Sequence, residues 1–187
     1  MAVRVQAEDF DVGSEVRQAT AGREDIGAVV TFTGTVRGEA KGRKIRSMTL
    51  EHYPGMTEAE LARVETEAHA RWPLDATVII HRFGELKPGD NIVLVVTASR
   101  HRHAAYEANA FLMDYLKSRA PFWKKETLAD GSGQWVDARE TDAEAMARWG
   151  SPADGAPGMR RRPRSRWLAE TRPSWAKSEG LGPNARS

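Results

Sequence analysis

The sequence predicts an α+β domain, and three observations carry that prediction. Residues 91–99, NIVLVVTAS, are apolar throughout and are typical of a central strand. Residues 100–119, RHRHAAYEANAFLMDYLKSR, repeat apolar side chains at helical spacing, so we expect one face of this helix to pack on a core. Two short strand patterns flank the glycine-containing turn ADGSG at 129–133, which predicts a hairpin.

The first half of the chain alternates predicted strands and helices. Residues 27–36, GAVVTFTGTV, are rich in β-branched side chains, so we expect this strand to be buried on at least part of both faces. Thr57 and Glu60 have the spacing of a capping box and indicate where a helix begins, with one apolar face that includes Leu61 and Val64. The predicted elements are the strands Val3–Gln6, Gly27–Val36 and Ser47–Tyr53 and the helices Val12–Ala21, entered at Asp11, and Thr57–Trp72.

The second half contains the long helix and further strands. Ser99 is a plausible N-cap for that helix, and Pro121 ends it near Ala120 because the residue before a proline avoids the α region. The segment Lys87-Pro88-Gly89-Asp90 is a strong turn signal between two strands. The predicted elements are the strands Ala76–Phe83, Asn91–Ser99, Phe122–Leu128 and Gln134–Ala138 and the helices Arg100–Arg119 and Glu140–Trp149.

The end of the chain differs in composition from the rest. Residues 150–187 contain eight Lys or Arg residues and three acidic residues, whereas residues 1–149 contain twenty and twenty-three. From Ser151 onward Pro, Gly, Ser and Arg predominate, which predicts disorder. We therefore expect a domain at 1–149 and a basic, disordered tail at 150–187. The run RRRPRSR at 160–166 could contact nucleic acid or an acidic partner, or be a solvated segment.

The sequence excludes cysteine-based sites and lacks the patterns of zinc sites, nucleotide-binding loops, membrane spans and signal peptides. The chain has no cysteine, so disulfides, thiolate metal sites and cysteine nucleophiles are excluded. The five histidines do not have zinc-ligand spacing, and no phosphate-binding or dinucleotide-binding glycine motif occurs. No apolar run approaches the roughly 20 residues of a membrane span, and the first residues lack the form of a signal peptide. We expect a soluble cytoplasmic protein.

Cations at the start of the long helix are the most unusual feature. His101, Arg102 and His103 lie at the positive end of the helix dipole, where a cation is unfavourable. A bound anion would compensate them, and the alternative is a solvated surface turn. Arg37 ends a strand, and the cationic segment GEAKGRKIR at 38–46 that follows is interpreted either as a lid over an anion or as a solvated hairpin loop. The residues therefore indicate a cationic pocket for an anionic small molecule, with lysines nearby.

Four strings in the sequence, in the right order, make the chain similar to the catalytic large subunit of molybdopterin synthase. They are FTGTVR at 32–37, LEHYPGM at 50–56, GELKPGD at 84–90, and His101-Arg102 followed by MDYLKSRAPFWK at 113–124. The resemblance covers residues 3–149 and not the tail. It implies an α/β-hammerhead fold with an additional antiparallel β subdomain.

The resemblance also implies a reaction. Members of that family transfer sulfur from the thiocarboxylated C-terminus of a small ubiquitin-like sulfur carrier to cyclic pyranopterin monophosphate, which yields molybdopterin. A homodimer of large subunits lies at the centre and carries one small subunit at each end, giving a heterotetramer. No metal or organic cofactor is needed.

The site residues follow from the same resemblance. Lys117 is implied as the leading catalytic residue and Lys124 as its neighbour. The implied substrate-binding residues are Thr35, Val36, Arg37, His101, Arg102, Lys117, Lys124, Lys125 and Glu126. A continuous helix would separate the backbones of Arg102 and Lys117 by about 22 Å at 1.5 Å per residue. We therefore expect each site to be shared between two subunits. The rival interpretations are a non-catalytic anion-binding module and nucleic-acid binding through the tail.

Overall fold

The computed structural model describes residues 2–136 and 145–150, which belong to one compact unit. The predictions for the tail from Ser151 onward, and for residues 137–144, fall outside the described residues. The α+β class is confirmed. The elements are the strands β1 Ala2–Gln6, β2 Ala28–Thr35, β3 Glu39–Ala40, β4 Arg43–His52, β5 Ala76–Arg82, β6 Gly84–Leu86, β7 Asn91–Ser99, β8 Phe122–Leu128 and β9 Gly133–Val136, with the helices α1 Val12–Thr20, α2 Met56–Arg71 and α3 Arg102–Ser118.

The first sheet has the strand order β1-β5-β7-β2, with β1 parallel to β5 and the other pairs antiparallel. β7 lies between β5 and β2, so its predicted central position is confirmed. Because side chains alternate between the faces of a strand, Ile79 and Val95 pack with α2 and α3, whereas Ile80 and Leu94 pack with α1 on the other face. The sheet is therefore covered by helices on both faces.

The prediction that β2 is buried on at least part of both faces is wrong. Among residues 2–136 and 145–150, β2 pairs only with β7, at the edge of the sheet, and every one of its residues is half-buried or exposed. Val29 and Phe32 are 38% and 36% exposed. The apolar, β-branched composition of β2 indicated a strand correctly, but strand propensity does not distinguish an edge strand from a central one.

The second sheet has the order β3-β4-β8-β9, and β6 also pairs with β4. All of its pairs are antiparallel, which confirms the additional antiparallel β subdomain. The segment predicted as a basic loop is the hairpin of β3 and β4, closed by Lys41 and Gly42 with φ of 50° and 75°. Positive φ at both central residues is the requirement of a tight hairpin turn. The segment therefore forms a hairpin, and β4 begins at Arg43 instead of Ser47.

Two helix starts differ from prediction. α2 has Gly55 as its N-cap, and the backbone N–H of Gly55 donates to Glu58 at 2.7 Å, whereas Glu60 accepts from the hydroxyl of Tyr115 at 2.5 Å. The capping box predicted from Thr57 and Glu60 is therefore wrong. α3 begins at Arg102 with His101 as its N-cap, and Ser99 lies buried in β7. Packing against neighbouring elements decides which of several polar residues near a helix start becomes the cap.

The described residues 145–150 are fixed to α2 and α3 through Trp149. Its indole nitrogen donates to Asp114 at 2.7 Å, and its carbonyl accepts from Arg71 at 2.8 Å. Its ring makes edge contacts with Trp72 and Phe111, with centroids 5.6 Å apart in both pairs. The segment that precedes the tail is therefore an integral part of the core.

Candidate active site

The structure separates the predicted site residues into two groups, at opposite ends of α3. α3 is continuous from Arg102 to Ser118, and Lys117 lies in its last turn. Arg102 and Lys117 are fifteen residues apart in the chain, so their backbones lie about 22 Å apart. A single chain therefore does not bring His101 and Arg102 to Lys117.

The first group lies at the start of α3, around His101 and Arg102. Both are exposed, as is His103. The N-cap makes no side-chain hydrogen bond, and the first turn contains no acidic residue. These residues, with Tyr106 and Glu107, line an open depression of about 420 Å³. The Arg102 guanidinium and two imidazoles at the positive end of a helix dipole, without a carboxylate in that turn, form a surface suited to an anion. We call it the helix-start depression.

The second group is built on β8, and Lys124 is its centre. The Lys124 ammonium lies 3.8 Å from a carboxylate oxygen of Glu126, whose side chain is only 8% exposed, whereas that of Lys124 is 34% exposed. In the register of β4 with β8, Lys124 faces Leu50 and Glu126 faces Met48. Paired residues in antiparallel strands share a face. Lys124 and Glu126 therefore lie on the face of the sheet that Leu50 and Met48 occupy.

That face also receives the predicted segment Thr35–Arg37. Val36 is buried and packs in one cluster with Met48, Leu50 and Leu86. Its N–H donates to the carbonyl of Asp90 at 2.9 Å, and its carbonyl accepts from Gly89 at 2.8 Å. With Val36 fixed in this way, Thr35 and Arg37 remain exposed on either side of it. The structure thus brings Thr35–Arg37 to the same face as Lys124 and Glu126.

Lys125 occupies a different surface. Successive side chains of a strand point to opposite faces, so Lys125 projects away from Lys124. Its ammonium lies 5.7 Å from the centroid of the Trp135 ring. Lys125 and Lys124 are neighbours in sequence but lie on opposite faces of the second sheet.

A buried histidine that the sequence interpretation did not single out packs against the start of β8. His81, in β5, is stacked on Phe122 with ring centroids 3.6 Å apart and an interplanar angle of 17°. The pKa of His81 is lowered to about 4, chiefly because the ring is buried, and the hydrogen bond to the Arg82 carbonyl opposes this shift only in part. Lys117 lies in the last turn of α3, and the chain leads from there through Pro121 directly to Phe122 at the start of β8. We call Lys117, His81, Phe122, Lys124 and Glu126 the lysine group.

His52 and His69, which are isolated in the sequence, have different surroundings. His69 contacts the Thr77 hydroxyl at 3.0 Å, and burial lowers the pKa of His69. His52 lies beside Phe83, with ring centroids 4.7 Å apart, and is paired with Phe122 across β4 and β8. Its buried Nδ1 has no hydrogen-bond partner among residues 2–136 and 145–150 and lies 3.9 Å from a Glu58 carboxylate oxygen. Alternation in β5 could have identified His81 as buried, but no sequence pattern connects it to Lys117.

Residues 2–136 and 145–150 contain no group of three or more His, Asp or Glu side chains that could hold a metal ion. None of the helices described combines the length and the hydropathy that a membrane span requires.

Comparison with known proteins places the chain in a family. The family model described as MoaE protein matches residues 5–119, which is more than half of the chain. The chain belongs to the MoaE family. A curated relative from Mesorhizobium japonicum, named molybdopterin synthase catalytic subunit, is 57% identical over 153 residues, which cover 81% of this chain and 95% of the relative. Lys117 lies within the range of the family model, and Lys124 lies beyond it.

Solved structures agree with this assignment. The Molybdopterin biosynthesis MoaE protein from Burkholderia ambifaria is 49% identical, covers 81% of this chain and 100% of its own, and has a TM-score of 0.69. The same fold occurs at 20% identity and a TM-score of 0.59 in a protein–protein complex of subunits 1 and 2 of Molybdopterin-converting factor from Helicobacter pylori, with coverage of 74% and 90%. The predicted resemblance and the predicted fold are both confirmed.

Proposed function

We propose that this chain is the catalytic subunit of a molybdopterin synthase. In this proposal it transfers sulfur from the thiocarboxylated C-terminus of a small ubiquitin-like carrier to cyclic pyranopterin monophosphate. The observation that carries the proposal is the 57% identity to a molybdopterin synthase catalytic subunit over 95% of that relative. The exposed cations at both ends of α3 supply the positive charge that a reaction between two anions needs.

The reaction brings two anions together. A thiocarboxylate and a substrate phosphate repel each other, and in a partly dry cleft this repulsion costs several kcal/mol unless cations offset it. Lys117 and Lys124 carry the charge at the lysine group, and Arg37 adds to it from the adjoining segment. Either lysine ammonium can also donate a proton to oxygen as the carbon–sulfur bond forms. We assign catalysis to Lys117 and Lys124 on this ground.

The second substrate is a protein, so the site must admit a chain terminus. Lys117, Thr35 and Arg37 are exposed, and Lys124 is partly exposed, which leaves the lysine group open to an extended C-terminal segment. We propose a heterotetramer of two copies of this chain and two carriers. In this assembly no metal or organic cofactor takes part, because the carrier supplies the sulfur.

Each active site is then shared between two copies of this chain. The helix-start depression lies about 22 Å from Lys117 along α3, which is too far for one compact substrate. A two-fold axis that places the depression of one copy beside the lysine group of the other would complete two equal sites. His101 and Arg102 would then hold the substrate phosphate and pterin beside the partner copy's lysines.

The central experiment is product formation from purified chain, thiocarboxylated carrier and cyclic pyranopterin monophosphate. We expect molybdopterin to form, with uncharged carrier as the control. If a carrier shown to be charged and bound gives no product, the proposed reaction is wrong.

Sharing of the site has its own test, the mixing of Arg102→Ala and Lys117→Ala chains. A mixed dimer would contain one site with both lesions and one site with neither. We expect activity to recover toward half of the wild-type value per mixed dimer. Mixtures as inactive as the two separate variants would mean that each copy builds its own site.

A further inference from the structure

The closest ring contact between the two sheets lies inside the lysine group. His81 belongs to β5 of the first sheet and Phe122 to β8 of the second, and their rings are stacked at 3.6 Å. α3, which carries Lys117, packs on the first sheet, whereas Lys124 belongs to the second. The relative placement of the two lysines therefore depends on how the sheets pack at this contact.

The imidazole of His81 is held in one orientation and one tautomer. Its Nδ1 lies 2.9 Å from the backbone carbonyl oxygen of Arg82. A carbonyl can only accept a hydrogen bond, so Nδ1 carries the proton and donates. The side chain is buried, which favours the neutral ring. His81 is thus a fixed, flat and uncharged surface.

Phe122 transmits this constraint to Lys124. Residues two apart on a strand lie on the same face, so Phe122, Lys124 and Glu126 form one row along β8. Phe122 is also the first residue of β8, the strand that follows α3 and begins directly after Pro121. Its ring is additionally close to His52, with centroids 6.3 Å apart.

We propose that His81 is a positioning residue for sulfur transfer, whose ring fixes the start of β8 through Phe122 and so holds Lys124 in register with Lys117. The role needs a flat ring at position 81 and not a titrating one. This inference rests on the proposed function, but the placement of the lysines can be measured without turnover.

A pair of matched variants tests the role of the ring. His81→Phe keeps a flat ring and His81→Leu does not, while both remove the donor to Arg82. Small misplacements of catalytic groups have large effects on rate, so we expect kcat of His81→Leu to fall about tenfold or more with KM nearly unchanged. We expect His81→Phe to stay within about threefold of wild type. Equal losses in the two variants would overturn the proposal.

The partner of the stack provides a double-mutant cycle. If His81 acts through Phe122, the variant with both His81→Leu and Phe122→Leu should lose no more kcat than the worse single variant. Multiplied losses would mean that the two rings act independently and would overturn the proposal. His69→Leu is the control, since His69 is a half-buried histidine bonded to Thr77 and outside the lysine group. Thermal unfolding of every variant is the control that each is folded at the assay temperature.

A second measurement does not depend on activity. A short homobifunctional amine reagent should link Lys117 to Lys124 in the wild-type chain, as read by peptide mass spectrometry. We expect the yield of this link to fall in His81→Leu and to persist in His81→Phe and His69→Leu. A yield that does not change in His81→Leu would overturn the positioning role. A wild-type chain that forms the link but makes no product would instead contradict the proposed function.

Discussion

The two ends of α3 carry cations in very different surroundings. At the start of the helix His101 and Arg102 are exposed, and the first turn contains no carboxylate. At the other end Lys124 lies 3.8 Å from the buried Glu126, beside a stacked pair of rings. The lysine group is a packed arrangement, whereas the helix-start depression is open. We propose from this difference that one end orients catalytic groups and the other attracts substrate.

The sharpest test of this comparison is Lys117→Ala. We expect sulfur transfer to fall by about 100-fold or more, because a positioned proton donor typically contributes that much. The melting temperature should barely change, since Lys117 is exposed. The measurement is the rate of molybdopterin formation, with the exposed cation Arg17 replaced by Ala as the control. Equal turnover in wild type and Lys117→Ala would refute the assignment.

The adjacent lysines of β8 give a smaller and more selective effect. Lys124→Ala should lose most activity, about tenfold or more, because Lys124 shares its face with Val36 and Glu126. Lys125→Ala should stay within about threefold, because its side chain is on the other face against Trp135. Steady-state rates of both variants test this. A Lys125→Ala loss as large as that of Lys124→Ala would show that both faces of β8 take part.

Burial of His81 in the lysine group should also make the folded protein less stable in acid. The unfolded chain has the ordinary histidine pKa of 6.5, whereas the pKa of His81 in the folded protein is about 4 because the ring is buried. Between these values the unfolded state binds a proton that the folded state does not, so stability falls as the pH is lowered from 6.5 to 4. The loss amounts to about 3 kcal/mol.

Urea unfolding between pH 7 and pH 4.5 measures this effect. Stability of the wild type should decline over that range, and the decline should be clearly smaller in His81→Phe. Parallel curves for the two proteins would show that the pKa of His81 is not lowered in the folded chain.

The smallest expected effect is at the tail. Removal of residues 151–187 should leave the activity and the melting temperature almost unchanged, because a segment with so few aliphatic residues contributes little to a core. Truncation after residue 144 is the matched comparison, since it also removes Trp149 and its contacts with Asp114 and Arg71. That longer deletion should lower the melting temperature by several degrees. Calorimetry of the two truncations would contradict the comparison if they melted alike.

The elements themselves were largely predictable from the sequence. The bounds predicted for β7 and β8 are those observed, and the prediction that one face of α3 packs on a core is confirmed by the buried Phe111 and Leu112. In a long segment the period of the apolar residues predicts which face is buried, because the same contacts repeat along the element. The cationic character of the start of α3 was also visible, since it depends only on which residues occupy one turn.

Features that depend on contacts between distant segments were decided by the tertiary structure alone. The edge position of β2, the cap of α2 at Gly55 and the position of Lys125 away from Lys124 depend on which element packs against which. The same holds for His81, which becomes part of the lysine group because two sheets meet at Phe122. A sequence determines the periodicity and chemistry of each segment through local backbone geometry. Contacts between segments far apart in the chain follow from packing of the whole domain, and they decide which of its many cations form a site.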